Sequence, residues 1–192
     1  MKIQPDRPLV LASGSPRRKL LLEQAGYTFT VRSCESDEQF AADLPPEKVA
    51  SFLAAKKASL FRESIGDEII ITADTVVILD NVVLNKPADS DDAIRMLETL
   101  SGRTHTVMTG VCILSREKER LFDDTTHVTF RRLTREEIEY YVEHYKPFDK
   151  AGAYGAQDWI GLTGVEKISG SYFNVMGLPV HRVYENLLAW ME

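Results

Sequence analysis

The chain has 192 residues, 23 Lys+Arg against 29 Asp+Glu, a formal net charge of −6, and is 44% hydrophobic and 27% charged. It is long enough to bury a real core, and its spread of apolar residues argues against disorder, while 11 Gly and 8 Pro without a period and two cysteines exclude collagen-like repetition and a disulfide scaffold. The acidic balance argues against non-specific binding to nucleic acid, yet leaves room for a small anion held by a local cluster of cations.

Leu9 to Ala12 is a short apolar run bounded by Pro8 and a Ser/Gly cluster, and predicts a buried strand. Ser15 suits an N-cap and Pro16 the first helical position, so a helix is predicted from there to Gly26. Tyr27 to Ser33 alternates and predicts a second strand. A long helix is expected from Pro45-Pro46 through Ile65, with Val49, Phe52, Leu53 and Leu60 toward the core and Gly66 closing it. Ile69 to Ile71 starts a central strand running into Thr72-Ala73-Asp74. Thr75 to Leu79 and Val82 to Leu84 flank Asp80-Asn81 as a hairpin. Ser90 is expected to cap a helix with Ala93, Ile94, Leu97 and Leu100 inward, stopped by Gly102. Thr104 to Leu114 and Leu121 to Phe130 predict two longer strands. Thr134 and Glu137 form a capping box for a helix to about Tyr145. Lys150 to Gly170 is rich in Gly and too irregular to be regular structure throughout, and Pro179 precedes a last helix ending near Trp190. Alternating helices and strands with a hairpin imply an α/β domain with a mixed sheet.

Cys34 and Cys112 lie far apart without a C-x-x-C partner, and read as free thiols in a reducing cytosol. Met1 to Pro8 has no signal-peptide apolar run, and no segment approaches the ~18 apolar residues of a membrane span. The expectation is a cytoplasmic protein whose residues 1–7 form a frayed extension.

Several segments could carry chemistry. Ser13-Gly14-Ser15-Pro16-Arg17-Arg18 places two hydroxyls, a glycine and two guanidinium groups at a helix start, and can surround a phosphate. The alternative is a capped surface helix with a solvated basic first turn, although positive charge there opposes the helix dipole. Asp74 follows a buried apolar run, where a carboxylate is costly to leave unpaired. It reads either as a structural turn cap or as a metal ligand or general base at a strand end. Glu35, Asp37 and Glu38 read as a solvated acidic loop, and Lys56, Lys57 and Lys86 as solvent lysines. Lys150 to Gly155 sets small residues around one tyrosine, suiting close approach of backbone to ligand. The four histidines show no metal-ligand spacing, and no G-x-S-x-G elbow is present.

Together these segments resemble the Maf family of nucleoside triphosphate pyrophosphatases. The matching pieces are LASGSPRR (Leu11 to Arg18), Asp37-Glu38, LAAKKA (Leu53 to Ala58), ADTVV (Ala73 to Val77) and NKP (Asn85 to Pro87). They continue with LSGRTHTVMTGV (Leu100 to Val111), DKAGAYGAQ (Asp149 to Gln157) and KISGSYFNVMGLP (Lys167 to Pro179). The resemblance implies an α/β fold with an elongated mixed β-sheet flanked by helices, and two lobes around a central cleft in a single Maf-like domain. The fold is similar to that of inosine triphosphate pyrophosphatases. It implies hydrolysis of a nucleoside triphosphate to monophosphate and pyrophosphate, with a divalent metal cation, Mg²⁺ or Mn²⁺. The DKAGAYG…Gln segment is similar to the dTTP/UTP branch.

The resemblance also implies roles. Asp74 matches the catalytic proton acceptor, and Arg17, Thr75 and Gln157 match positions associated with substrate choice. Ser13, Arg18, Lys57 and Lys86 would neutralise the phosphates; the choice of Lys57 over Lys56 rests on family register. Glu38 is a candidate metal ligand, with Asp74, or a water-positioning residue. Gln157 offers a donor and an acceptor to the imide edge of uracil or thymine. Asp158-Trp159 departs from the family, where Gly often follows the Gln. The implied partners are the triphosphate and, as an assembly, a homodimer, with no nucleic-acid polymer and no membrane. The alternatives are pyrophosphatase activity on 7-methyl-GTP or inosine triphosphate, or a non-catalytic inhibitor of septum formation and cell division.

Overall fold

The computed structural model describes residues 3–33 and 36–191, so Cys34 and Glu35 lie outside the described residues, as do Met1 and Lys2 of the expected extension. The strands are β1 (Leu9–Leu11), β2 (Thr30–Val31), β3 (Ile69–Leu79), β4 (Val82–Leu84), β5 (Thr104–Leu114), β6 (Glu119–Phe130) and β7 (Val165–Ser169). The helices are α1 (Pro16–Gln24), α2 (Pro46–Ser59), α3 (Ser90–Leu100), α4 (Arg135–Tyr145), α5 (Trp159–Gly164), α6 (Tyr172–Met176) and α7 (Val180–Leu187). The strands form a 7-stranded sheet in the order β2-β1-β3-β5-β6-β7, with β4 paired to β3. β1 runs parallel to β2 and β3, whereas β4 is antiparallel to β3 and β7 to β6. This is the helix-flanked mixed sheet expected. β3 is buried almost throughout, which is why its first half is an unbroken apolar run rather than an alternation.

The chain divides into two compact units. The first comprises Met1–Asp74, Thr109–Asp124 and Gly177–Glu192. Its core includes Val10, Ala12, Ala54, Ala58, Phe61, Ile70, Cys112 and Leu114. The alanines of α2 let a strand approach closely. A Cβ on Gly110 of β5 would lie 2.4 Å from the backbone carbon of Ala50, so only glycine fits there. Buried Cys112 is a free thiol, pushed up to about 12 chiefly by desolvation, and is inert at neutral pH. The second unit comprises Thr75–Met108 and Thr125–Met176. Its core gathers Val77, Leu97, Leu100, Val107, Val128, Phe130, Ile138 and Tyr141. Asp80 and Asn81 both have positive φ (51° and 60°), the geometry of a type I′ hairpin turn between β3 and β4. No helix among the described residues is long and apolar enough to cross a membrane.

The structure corrects several expectations. α2 stops at Ser59 rather than reaching Ile65, and Phe52 and Leu60 are exposed, because the inward stripe is Val49, Ala50, Leu53, Ala54, Lys57 and Ala58. Asp89, not Ser90, caps α3: its side chain accepts from Asp92 N. The expected strand Tyr27 to Ser33 shrinks to two residues, and β6 starts earlier than predicted, at Glu119. Lys150 to Gly170 is, as expected, not regular throughout, but it holds two regular elements that the sequence pattern does not mark, α5 and β7, and α6 follows it. Small residues such as Gly161 hid α5 from a propensity reading. A Cβ on Gly161 would meet the Ala156 carbonyl oxygen at 2.1 Å. Residues 3–7, expected to fray, are tied down: Thr28 N donates to Gln4 Oε1, and Arg7 donates to the Asp67 carbonyl and to Glu117.

Candidate active site

Three elements of the first unit bring charged side chains together. β3 supplies Thr72 and Asp74, two residues apart and therefore on one face of the strand. That face meets α2. The Thr72 hydroxyl donates to the Ala54 carbonyl at 2.7 Å, and one helical turn further on Lys57 Nζ donates to Asp74 Oδ1 at 2.5 Å. The contact at Thr72 thus sets the register for the one at Asp74. Lys57 Nζ also donates to Glu38 Oε1 at 3.1 Å, so one ammonium bridges two carboxylates. Asp74 and Lys57 are only 7% and 8% exposed, so each offsets much of the cost of burying the other's charge. Lys56, the adjacent alternative, turns outward to the Gln39 carbonyl and Asp37.

α1 supplies the second cation. Ser15 caps it, accepting from Arg18 N, and Pro16 opens it. Arg18 then folds back: its Nε donates to the Gly177 carbonyl at 2.8 Å, and its Nη1 donates to the Ala73 carbonyl at 2.8 Å and to Ser13 Oγ at 3.2 Å. Desolvation lowers the Arg18 pKa, Asp74 and Glu38 act to raise it, and neighbouring Arg17 pushes it down. The guanidinium remains a cation, because arginine starts so far above neutrality. Ser13 is buried and also accepts from Ser15 N at 3.2 Å. A Cβ on Gly14 would meet nothing within 4 Å, so the turn before α1 is open at its apex. Arg17 is half-buried beside Arg18.

The structure therefore brings Ser13, Arg18, Glu38, Lys57 and Asp74 into one cluster, with Arg17 the neighbour of Arg18 on α1. Thr75 is the residue after Asp74 on β3 and begins the second unit. Lys86 and Gln157 also belong to that unit. Lys86 is exposed, after β4, and the preceding Asn85 carbonyl accepts from Gly152 N at 3.2 Å. Gly152 has φ +67°, and a Cβ there would press on both Val77 methyl groups at 3.0 Å, so the approach of this segment to β3 depends on glycine. Gln157 is half-buried, and its Oε1 is buried with no hydrogen-bond partner among the described residues.

Sequence reasoning missed the carbonyls of Ala73 and Gly177 that aim Arg18, since backbone acceptors leave no residue-type signal. It also missed His105, whose Nε2 lies 2.7 Å from the Tyr154 hydroxyl in the second unit. Burial lowers the His105 pKa to about 4, so its imidazole is neutral at physiological pH.

Among the described residues no three His, Cys, Asp or Glu side chains converge as a metal site. The donor set at Lys57 is instead two carboxylates, Glu38 and Asp74. Carboxylate oxygens are the ligand type that a hard divalent cation takes, and both of these accept from Lys57.

A family model described as Maf-like protein matches residues 8–190. A dTTP/UTP pyrophosphatase of Phocaeicola vulgatus is 51% identical over 181 residues, covering 93% of this chain and 94% of that protein. One of Porphyromonas gingivalis is 49% identical over 183 residues (93% and 92%), and one of Flavobacterium psychrophilum 47% over 181 residues (94% and 93%).

Proposed function

The chain belongs to the Maf family, and from that premise we propose that it is a dTTP/UTP pyrophosphatase, hydrolysing these triphosphates to the monophosphate and pyrophosphate. The observation that carries the chemistry is the Lys57 bridge between Asp74 and Glu38, with Arg18 fixed alongside.

A triphosphate brings about four negative charges, and more charge develops on the leaving pyrophosphate as the α–β bond breaks. Arg18 and Lys57 are held by backbone carbonyls and carboxylates before substrate arrives, so little reorganisation is needed when that charge appears. Ser13 and the open turn at Gly14 offer hydroxyl and backbone donors to phosphate oxygens. The family resemblance gives Lys86 the same role. Asp74 accepts the proton of the attacking water, with Lys57 orienting its carboxylate. Glu38 and Asp74 would hold a divalent cation, which when bound supplies further neutralisation of the phosphate oxygens. Arg17, Thr75 and Gln157 are assigned to substrate choice. The Gln157 amide can pair with the imide edge of uracil or thymine, and its buried Oε1 would otherwise stay unpaired. A cytoplasmic location, read from the cysteine usage and the apolar patterning of the sequence, belongs to the same reading, as does a homodimer, which rests on the family resemblance alone.

The test is pyrophosphate release across the common triphosphates, 7-methyl-GTP and inosine triphosphate, with and without Mg²⁺. The proposal expects Mg²⁺-dependent release, fastest from dTTP and UTP. Preference for 7-methyl-GTP or inosine triphosphate would overturn the substrate assignment. No release from any triphosphate would favour a binding protein.

A further inference from the structure

Gln157 sits in a four-residue turn that is braced from outside. Asp158 N donates to the Gly155 carbonyl at 3.0 Å, closing a β-turn whose central residues are Ala156 and Gln157. The Tyr141 hydroxyl, from fully buried Tyr141 of α4, holds both ends of that turn. It accepts from Gly155 N at 3.1 Å and donates to Asp158 Oδ2 at 2.7 Å. Asp158 occupies the N-cap position of α5 yet makes no side-chain cap bond, so the carboxylate that would ordinarily serve its helix is given to Tyr141 instead. Lys150 Nζ, 3.7 Å away, adds a weak opposite charge on Asp158. The brace is also closely fitted. A Cβ on Gly155 would lie 2.5 Å from Asp158 Oδ2, and Gly161 packs against the Ala156 carbonyl. Burial and Asp158 both raise the Tyr141 pKa, so the hydroxyl keeps the proton it donates.

At the apex of this rigid turn is one buried acceptor without a partner, Gln157 Oε1. The brace holds the backbone that carries Gln157, and an amide oxygen left without a partner can accept an N–H. The N3–H of uracil or thymine supplies one, whereas N3 of cytosine is itself an acceptor and would meet the oxygen with a lone pair. Discrimination of this kind needs the acceptor to stay in place, because a mobile amide could rotate to offer its NH₂.

We infer that Tyr141 and Asp158 are positioning residues for pyrimidine selection, the Tyr141 hydroxyl holding both ends of the Gly155–Asp158 turn so that the backbone carrying Gln157 places its acceptor for the N3–H of a 4-oxo pyrimidine. This rests on the reading that Gln157 meets the base. Neither Tyr141 nor Asp158 touches substrate; both act through Gln157.

The experiment compares kcat/KM for UTP and CTP in wild type, Tyr141→Phe, Asp158→Ala, Asp158→Asn and Gln157→Ala. Tyr141→Phe and Asp158→Ala are expected to cut the UTP/CTP ratio about tenfold. Asp158→Asn, whose amide oxygen can still accept from Tyr141, is expected to keep the ratio near wild type. Equal losses on UTP and CTP in both Tyr141→Phe and Asp158→Ala, with the ratio unchanged, would show a merely structural role and overturn the inference. If Tyr141→Phe does not fold, Asp158→Ala against Asp158→Asn decides alone. Gln157→Ala separates the two levels. An unchanged ratio in that variant overturns the base reading itself. A lowered ratio there, with Asp158→Ala like wild type, overturns only the positioning role.

Discussion

Lys57→Met is the sharpest perturbation of the candidate site. Methionine matches the aliphatic stem of lysine, so packing inside α2 is nearly conserved while the ammonium is lost. That ammonium donates to Asp74 at 2.5 Å and to Glu38 at 3.1 Å, and both Lys57 and Asp74 are more than nine-tenths buried. Breaking a buried pair by removing one partner costs about 3–5 kcal/mol. Arg18 lies close enough to Asp74 to return some of that, so the expectation is the lower end, about 3 kcal/mol. For a chain of this size that is a fall in Tm of roughly 6–12 °C. The double variant Lys57→Met/Asp74→Leu removes both charges and should recover most of the loss, because the desolvation penalty goes with the pair. Urea titration of the wild type, both single variants and the double variant gives the coupling directly. A single variant within about 0.5 kcal/mol of wild type would refute the argument that burial makes these charges interdependent, as would strictly additive losses in the double.

Other consequences follow from individual contacts. His105 is buried and neutral, with its pKa depressed from 6.5 to about 4. The unfolded chain takes up this proton below about 6.5 and the folded chain only near 4, so stability falls as pH drops through that window, by at most about 3 kcal/mol, and is flat above it. His105→Gln, which retains a partner for the Tyr154 hydroxyl, should flatten that part of the urea-midpoint profile; an unchanged slope would count against the assignment. Asp89→Ala should cost about 1 kcal/mol through loss of the α3 cap, while Ser90→Ala changes stability little; the reverse order in thermal melts would restore Ser90 as the cap. Gly110→Ala places a methyl group 2.4 Å from the Ala50 backbone and should destabilise by about 3 kcal/mol, read from the same melts. A neutral substitution there would mean that α2 and β5 can separate at little cost.

Much of this architecture was legible in the residues. Ser15-Pro16 marked the start of α1, Thr134 and Glu137 the capping box of α4, and Asp80-Asn81 the hairpin turn, because each is a local hydrogen-bond or φ requirement written in residue type. Where tertiary packing decides, the reading went astray. Phe52 and Leu60 look like core residues by hydropathy, yet α2 turns its alanines inward because Gly110 allows backbone to approach backbone. α5 has two glycines within six residues and no side-chain cap, so neither propensity nor capping announces it. Composition and spacing alone left Lys57 and Glu38 as solvent-facing charges; only the family resemblance singled them out. The structure supplies the physical reason in the position of Asp74, a buried carboxylate that α2 answers with an ammonium one turn beyond Ala54.

The account turns on Asp74 as the proton acceptor, and the direct test is pyrophosphate release from dTTP and UTP by Asp74→Asn beside wild type, with substrate binding measured in parallel. General-base catalysis contributes on the order of 10²–10⁴ in rate. The expected result is a loss of about 100-fold or more in kcat, with nucleotide binding retained through Arg18 and Lys57. Turnover by Asp74→Asn as fast as wild type would contradict it.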